Sequence, residues 1–276
     1  MPLLTRNADL GPPLKTSTRR KIAIGSWAGP GDPSVYGIAE LDAEPALAYI
    51  EKLKGQSRQK ITFSHFLGKA VAKTLSEHPE INGVLRWGRI YPRNSIDVFF
   101  LVASDGEGAD LSGLTVRNTD RKSIPEIASE MQVQIDEIRK KGDPAFKKMK
   151  KTLGGVPGFL ARLVIGFSSF ITGTLNLWSP LLGTPRDPFG SVWITNIGSL
   201  GMDTAFAPLI AYSRVPLLIT LGAVRETPVV RDGKVVVGKT IRLCVTFDHR
   251  LIDGVHAAHM AKTVQRIFAD PEHELT

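Results

Sequence analysis

The sequence has very little cysteine and lacks several common functional signatures. Cys244 is the one cysteine among 276 residues, so no disulfide can form within the chain, and we expect a reducing compartment, the cytoplasm. Zinc-finger spacing, an aromatic RNA-binding signature and a long basic helix are all missing, which predicts that nucleic acid is not a partner. The first residues also lack the apolar core that a secretory signal needs.

The composition is that of a folded protein with an excess of positive charge. Hydrophobic residues make up 42% of the chain and charged residues 22%, which excludes disorder as its main state. The length allows one large α/β domain or two small ones. The net charge of +8 favours anionic partners, such as acidic lipid headgroups or a phosphorylated cofactor.

One stretch combines a clear structural pattern with reactive side chains. Apolar and polar residues alternate from Ile241 to Phe247, which predicts a strand with one buried face. Apolar and small residues then recur at helical spacing from Ala258 to Phe268. The residues between, Asp248 to Gly254, therefore form a strand-to-helix corner, and they hold the imidazole of His249 between two carboxylates and a guanidinium. Such corners present polar groups to clefts, so we predict an active site here.

Two other interpretations of this corner remain open. A histidine in a loop is often only solvated or satisfied by structural hydrogen bonds. A metal site is the second alternative, because Asp253, His256 and His259 are spaced three apart and would share a helix face near His249. The usual supporting cysteines are missing and the spacing alone is weak, so we expect no metal.

Local patterns predict the other elements of the chain. The predicted helices are 45–54, a helix capped by Ser64 that ends before Pro79, and one that begins with a capping box of Ser123 and Glu126; the predicted strands are 84–90, 96–103, 190–194, 216–224 and a hairpin over 229–237 that turns on Asp232-Gly233.

The corner resembles the His-x-x-x-Asp-Gly motif of the dihydrolipoamide acyltransferases of 2-oxo acid dehydrogenase complexes and of the related chloramphenicol acetyltransferases. His249, Asp253 and Gly254 match the motif. The resemblance runs from about Arg19 to Ile267. It implies an α/β fold, a chloramphenicol acetyltransferase-like two-layer domain with a mixed β-sheet and packed helices. We therefore expect an N-terminal arm over 1–18 and a catalytic domain over 19–276.

The resemblance also implies roles for the reacting groups. His249 would be the general base for an attacking thiol. Thr195 stands where relatives have a serine, in a segment similar to their Ser-Asn-Leu-Gly element, and its hydroxyl would stabilise the oxyanion with support from the adjacent Asn196. On its own pattern, Thr195 would only be a strand-end residue that bonds its own backbone.

The remaining implied residues are structural. Asp253 would anchor the corner by pairing with Arg19 or Arg20, because a similar Arg-Lys-Ile-Ala segment of the family supplies such an arginine. Gly254 would allow a close backbone turn at the start of the helix. In the family the histidine and the hydroxyl come from neighbouring subunits of a trimer.

The implied function is acyl transfer between coenzyme A and dihydrolipoamide or a similar thiol acceptor. Coenzyme A or acyl-CoA would be a substrate. No lipoyl domain is present in the sequence, so we expect a stand-alone catalytic domain that meets the lipoyl group on another protein, in a homotrimer or a higher assembly. The alternative is a weak or inactive structural trimer.

A segment at about 144–186 departs from the family pattern. It contains a cluster of four lysines, two adjacent glycines and an uncharged run from Leu163 to Leu182. A membrane crossing is disfavoured because it would place the two halves of one domain on opposite sides. We predict a helical hairpin that either packs on the domain or a neighbour, or lies in a membrane surface with its lysines on anionic headgroups, which would make the protein peripheral.

Overall fold

The protein is built around a seven-stranded mixed sheet. The structure, a computed structural model, describes residues 5–15, 32–103, 111–141, 158–180 and 185–275. The strands are β1 (Thr5–Arg6), β2 (Ser34–Asp42), β3 (Gly83–Arg86), β4 (Arg89–Pro92), β5 (Val98–Ala103), β6 (Leu111–Val116), β7 (Leu177–Trp178), β8 (Val192–Asn196), β9 (Leu217–Leu221), β10 (Arg225–Arg231) and β11 (Lys234–Asp248). The α-helices are α1 (Glu44–Gln56), α2 (Phe63–Glu77), α3 (Ile124–Lys141), α4 (Gly158–Ser169), α5 (Gly254–Ala269) and α6 (Pro271–Glu274).

The long strand β11 organises this sheet. Its first half forms a hairpin with β10, and its second half lies between β2 and β9, antiparallel to both. The hairpin turns at Asp232 and Gly233, which both have positive φ, as this dipeptide favours. Strand β8 runs parallel to β5 and β9. The predicted strand and hairpin before the corner are therefore confirmed.

Helices α1, α2, α3 and α5 pack on one face of the sheet. Phe66 of α2 meets Phe268 of α5 edge to face at 5.1 Å between ring centroids, and both side chains are buried. Ile127 of α3 and Ile194 of β8 belong to the same apolar core. Burial of such side chains, at about 25 cal/mol per Å² of apolar surface, is the main force that holds the two layers together. The predicted two-layer α/β class is confirmed.

A second, smaller apolar cluster lies on the opposite face of the sheet. Phe99, Trp193 and Leu218 form its centre. The segment 202–214 crosses this face, where the hydroxyl of Thr246 donates to the carbonyl oxygen of Ala207 at 2.8 Å. Thr195 lies on the same face of β8 as the buried Trp193 but is itself half-buried, so the described residues cover this face only partly at the end of the strand.

Two helix starts test the predicted caps. The capping box before α3 is confirmed, because the backbone N–H of Ser123 donates to Glu126 Oε2 at 2.7 Å and the N–H of Glu126 donates to Ser123 Oγ at 3.4 Å. The predicted cap at Ser64 is wrong. Helix α2 is capped by Thr62, and Nδ1 of His65 accepts the backbone N–H of Thr62 at 3.0 Å, in the position where a glutamate usually completes the box.

The predicted strand over 84–90 is in fact a tight hairpin. Strands β3 and β4 pair antiparallel on either side of Trp87 and Gly88. Both residues have positive φ, 51° and 69°. A positive φ is uncommon for a residue as bulky as tryptophan. The indole of Trp87 is also 64% exposed.

The described part of the insertion is not a helical hairpin. Helix α4 continues into a π-helical turn over Phe170–Thr174, and the chain then extends as β7. Strand β7 pairs with β1 of the N-terminal arm, so the second half of the predicted hairpin is wrong. The lysine cluster lies outside the described residues. Among the described helices, none has both the length and the apolar character that a bilayer crossing requires.

Candidate active site

The corner after β11 is fixed by its own backbone and by an ion pair. The N–H of Asp248 donates to the carbonyl of Pro216 at 2.9 Å, and the N–H of His249 donates to that of Pro33 at 3.0 Å. The buried carboxylate of Asp248 accepts from Arg250 Nε at 2.9 Å and from its Nη2 at 2.7 Å. A two-point contact of this kind holds geometry as well as charge. The half-buried His249 therefore sits on a rigid backbone.

Asp253 is the N-cap of α5. Its Oδ1 accepts the backbone N–H groups of Val255 at 3.0 Å and His256 at 3.1 Å, and it lies 2.7 Å from His256 Nδ1. Such a cap stabilises a helix by about 1 kcal/mol. Arg19 and Arg20 lie outside the described residues, so their pairing with Asp253 stays a prediction.

The helix begins at Gly254 as predicted, but the reason given for a glycine there is not found. The backbone φ of Gly254 is not positive, and a Cβ added to it would meet no heavy atom within 4 Å. Close approach instead occurs at Gly198, where a Cβ would lie 2.6 Å from the carbonyl oxygen of Gly222. That contact brings the turn after β8 against the end of β9, so Gly198 is a structural residue that the sequence patterns missed.

Thr195 and Asn196 end β8. The amide of Asn196 donates to Ser64 Oγ at 3.0 Å, and its Oδ1 accepts the N–H of Ser199 at 3.2 Å. The half-buried Thr195 alternates with Asn196 and so faces the other side of the sheet. Asn196 thus ties the strand end to α2, while the hydroxyl of Thr195 lies on the partly covered face.

Within one chain, the predicted base and the predicted oxyanion donor lie far apart. Thr195 is in register with Thr220 of β9, which is in register with Cys244 of β11. His249 comes five residues after Cys244 and two strands away from Thr195. Strand geometry then separates the two Cα positions by about 19 Å, from a rise of about 3.3 Å per residue and a strand spacing of about 4.8 Å. Their side chains cannot meet in one copy.

A cavity that the sequence patterns did not predict opens beside Asn196. It measures about 270 Å³. Ser64, His65 and Asn196 line its polar side, and the exposed Lys60 and Arg139 lie at its rim. These residues come from α2, from the segment before it, from α3 and from β8, so no local spacing reveals them.

The buried histidine of this cavity makes stability depend on pH. Burial lowers the pKa of His65 from 6.5 to about 4. The unfolded chain therefore binds more protons than the folded one between these two pKa values, and stability falls as the pH drops through that window. We expect the free energy of unfolding in urea to decrease by about 2 kcal/mol from pH 7 to pH 5 through this group.

The matched variant for this prediction is His65→Asn, which keeps an acceptor for the N–H of Thr62 but does not titrate. Its unfolding free energy should depend less on pH than that of the unaltered chain by the same amount. Identical pH dependence of the two proteins would contradict the assignment.

The alternative of a metal centre finds no support in the described residues, which contain no group of three or more histidine, cysteine, aspartate or glutamate side chains placed to hold an ion. Asp253 is engaged as a cap. The ring of His259 instead stacks on that of His78 at 6.1 Å between centroids.

The fold is that of a chloramphenicol acetyltransferase-like α/β protein. A solved chloramphenicol acetyltransferase superposes with a TM-score of 0.53 at 18% identity, over 91% of this chain and 96% of that one. The cubic core of the pyruvate dehydrogenase multienzyme complex superposes with a TM-score of 0.65 at 21% identity, over 96% of this chain and all of that one.

Sequence comparison then gives the family. The model of the 2-oxoacid dehydrogenases acyltransferase catalytic domain matches residues 26–145 and 189–276, and the chain belongs to this family. The dihydrolipoyllysine-residue acetyltransferase component of the Bacillus subtilis (strain 168) pyruvate dehydrogenase complex is 26% identical over 245 residues, which is 87% of this chain and 46% of the relative. The chain therefore spans about half the length of such relatives. The unmatched residues 146–188 nearly coincide with the predicted insertion.

Proposed function

We propose that the chain is an acyltransferase that moves an acyl group between coenzyme A and dihydrolipoamide or a similar thiol. Family membership and the rigid corner that carries His249 support this proposal. Coenzyme A is a substrate here and not a resident cofactor. The second thiol is proposed to come from a lipoyl group on another protein.

The proposed reaction needs a base and an oxyanion donor. His249 takes the proton of the attacking thiol as its sulfur bonds to the thioester carbonyl carbon. The hydroxyl of Thr195 donates to the negative oxygen of the tetrahedral intermediate. When the original carbon–sulfur bond breaks, the imidazolium returns the proton to the leaving thiolate. Asp253 is proposed to hold the corner, by capping α5 and by pairing with Arg19 or Arg20.

The observation that carries the proposal is the separation of about 19 Å that the sheet register imposes on Thr195 and His249. A site that uses both residues must form between two copies of the chain. We therefore propose a cyclic homotrimer, in which each site takes His249 from one copy and Thr195 from the next. The partly covered face of β8 is consistent with such a contact.

An exchange assay tests the function. The purified protein is incubated with free dihydrolipoamide and, separately, with acetyl-, succinyl- and branched-chain acyl-CoA, and thioester formation is followed beside a native mass measurement. We expect saturable turnover with at least one acyl donor and the mass of a trimer or a multiple of it. Free dihydrolipoamide makes the result independent of where the lipoyl group resides.

A folded trimer that turns over none of the three donors would contradict the proposal. That outcome would favour the alternative, a structural protein that keeps the assembly but not the chemistry. A monomer with full activity would contradict the shared site and leave the acyltransferase activity standing.

A further inference from the structure

The insertion exposes a large apolar surface. Leu163 and Phe167 of α4 are 64% and 67% exposed, and Val164, Ile165 and Phe170 are also exposed. Four of these five residues lie within one and a half turns of α4, so apolar side chains point to solvent around most of its circumference. Contiguous exposed surface of this kind marks a site of contact with a protein or a membrane.

The insertion is firmly attached at its C-terminal end. The guanidinium of Arg214 donates to Thr174 Oγ1 at 2.6 Å and to the carbonyl of Ser169 at 3.3 Å. Arg86 Nε donates to the carbonyl of Thr174 at 3.1 Å. A Cβ at Gly173 would lie 2.1 Å from Arg214 Nε, so a larger residue there would displace the Arg214 side chain. These contacts fix the C-terminal end of α4 and the turn after it relative to the sheet.

A second element brings an aromatic side chain to the same surface. Trp87, at the turn between β3 and β4, meets Phe170 edge to face at 6.2 Å between centroids. Arg86 and Arg89 flank the indole in sequence. Tryptophan and arginine next to apolar side chains are the combination that favours the boundary between headgroups and acyl chains. Trp87, Leu163, Val164, Phe167 and Phe170 are called the apolar patch below.

The sequence of the insertion carries charge of one sign. Residues 144–186 contain no acidic residue and six basic ones, Lys147, Lys148, Lys150, Lys151, Arg162 and Arg186. A cavity of about 290 Å³ between the N-terminal arm, the β3–β4 hairpin and β7 is lined by Arg6 and Arg86 together with Tyr91. This excess of positive charge in the insertion gives no advantage with a partner whose surface is neutral or of mixed charge. An anionic lipid surface, in contrast, attracts each nearby lysine or arginine.

We propose that the apolar patch docks on a membrane surface that contains anionic lipids, with α4 lying in the interface. Helix α4 has 12 residues, whereas a helix that crosses a bilayer needs about 20, and its exposed apolar side chains suit a segment that lies in the bilayer surface. Arg86 and the exposed Arg89, which lie next to Trp87 in the β3–β4 hairpin, meet the headgroups. This inference does not depend on the proposed acyl transfer, since it rests on exposed residues of the insertion and of one hairpin.

Docking would bring the corner of β11 close to the lipid. Arg214 donates to Thr174 Oγ1 of the insertion, and two residues later the carbonyl of Pro216 accepts the N–H of Asp248, so the base of the insertion lies close to the backbone that supports His249.

Vesicle sedimentation tests the docking. The full chain is spun with vesicles of phosphatidylcholine alone and with vesicles of phosphatidylcholine and phosphatidylglycerol in equal parts. We expect binding to the anionic vesicles that is weakened by added salt, because screening acts on the lysine and arginine contacts. Leu163→Ser with Phe167→Ser should reduce that binding by about tenfold or more.

The matched control is Val235→Ser with Val237→Ser. Both valines are 74% exposed, at the tip of the β10–β11 hairpin, and their replacement should leave vesicle binding unchanged. Trp87→Asn is a second test variant, because asparagine tolerates the positive φ at this position. Circular dichroism and the exchange assay, run on the same preparations, report folding and acyl transfer separately.

Three results would overturn the proposal. One is no binding of the folded protein to anionic vesicles at low salt. Another is equal loss of binding in the Leu163/Phe167 and Val235/Val237 variants. The third is a change of oligomeric state in the Leu163/Phe167 variant without a change in vesicle binding, which would show that a second copy covers the apolar patch.

Discussion

Replacement of His249 by alanine is expected to lower kcat for thioester exchange by about a thousandfold, with little change in KM. A positioned general base contributes about 10²- to 10⁴-fold to a rate, and this imidazole is the proposed base for the attacking thiol. The backbone of the corner should survive, because Asp248 and Arg250 hold it through contacts that do not involve the ring. Steady-state kinetics with saturating acyl-CoA measures the effect.

His259→Ala is the control for this experiment. His259 is an exposed imidazole on α5, ten residues further along the chain, and its loss should leave kcat within about twofold of the unaltered value, as expected for a surface substitution away from the reaction. A His249→Ala protein as active as the His259→Ala protein would remove His249 from the chemistry.

Mixed trimers of two inactive chains are expected to recover activity. His249→Ala keeps the proposed oxyanion donor, and Thr195→Val keeps the base while losing the hydroxyl with little change of shape. In a cyclic trimer with sites between copies, each mixed trimer contains one site with both native groups. Random mixing in equal amounts makes about three quarters of the trimers mixed, so about a quarter of the unaltered activity should return.

Refolding the two variants together and separately measures the recovery. The separately refolded proteins are the controls, and each should stay about a hundredfold or more below the unaltered rate. A mixture with only the summed activity of its two components would mean that the hydroxyl and the imidazole act within one chain, which the register of the sheet forbids, or that Thr195 takes no part.

The elements that the sequence predicted correctly are those with local causes. The alternation before His249, the turn at Asp232-Gly233 and the capping box of Ser123 each depend on residues within a few positions of one another. The cap at Ser64 was wrong because a histidine, and not a glutamate, completes the box with Thr62. No pattern rule anticipates that substitution.

The elements that were missed have long-range causes or unusual turn residues. The hairpin at Trp87 places a tryptophan at positive φ, where turn rules expect glycine or asparagine. The helix does not continue past Leu175 because β7 finds a partner in β1, about 170 residues earlier in the chain. Periodicity within the segment cannot report that pairing.

The candidate site shows the same division. Two short motifs predicted the site residues: the His-x-x-x-Asp-Gly motif gave His249 and Asp253, and the segment similar to Ser-Asn-Leu-Gly gave Thr195. Their separation depends on β8 running parallel to β9 while β11 runs antiparallel to it, and this is a property of the assembled sheet. The cavity beside His65 likewise needs α2, α3, β5 and β8 to come together.

The attachment of the insertion at Arg214 joins two parts of the molecule that the family comparison separates. Arg214 donates a hydrogen bond to Thr174 of the insertion. Only two residues later, the carbonyl of Pro216 accepts the N–H of Asp248. The insertion is therefore attached to the same short segment, residues 214–216, that supports the backbone of His249. Deleting the insertion would remove Ser169 and Thr174, two of the acceptors that hold the Arg214 side chain, and we therefore expect the backbone that supports His249 to loosen as well.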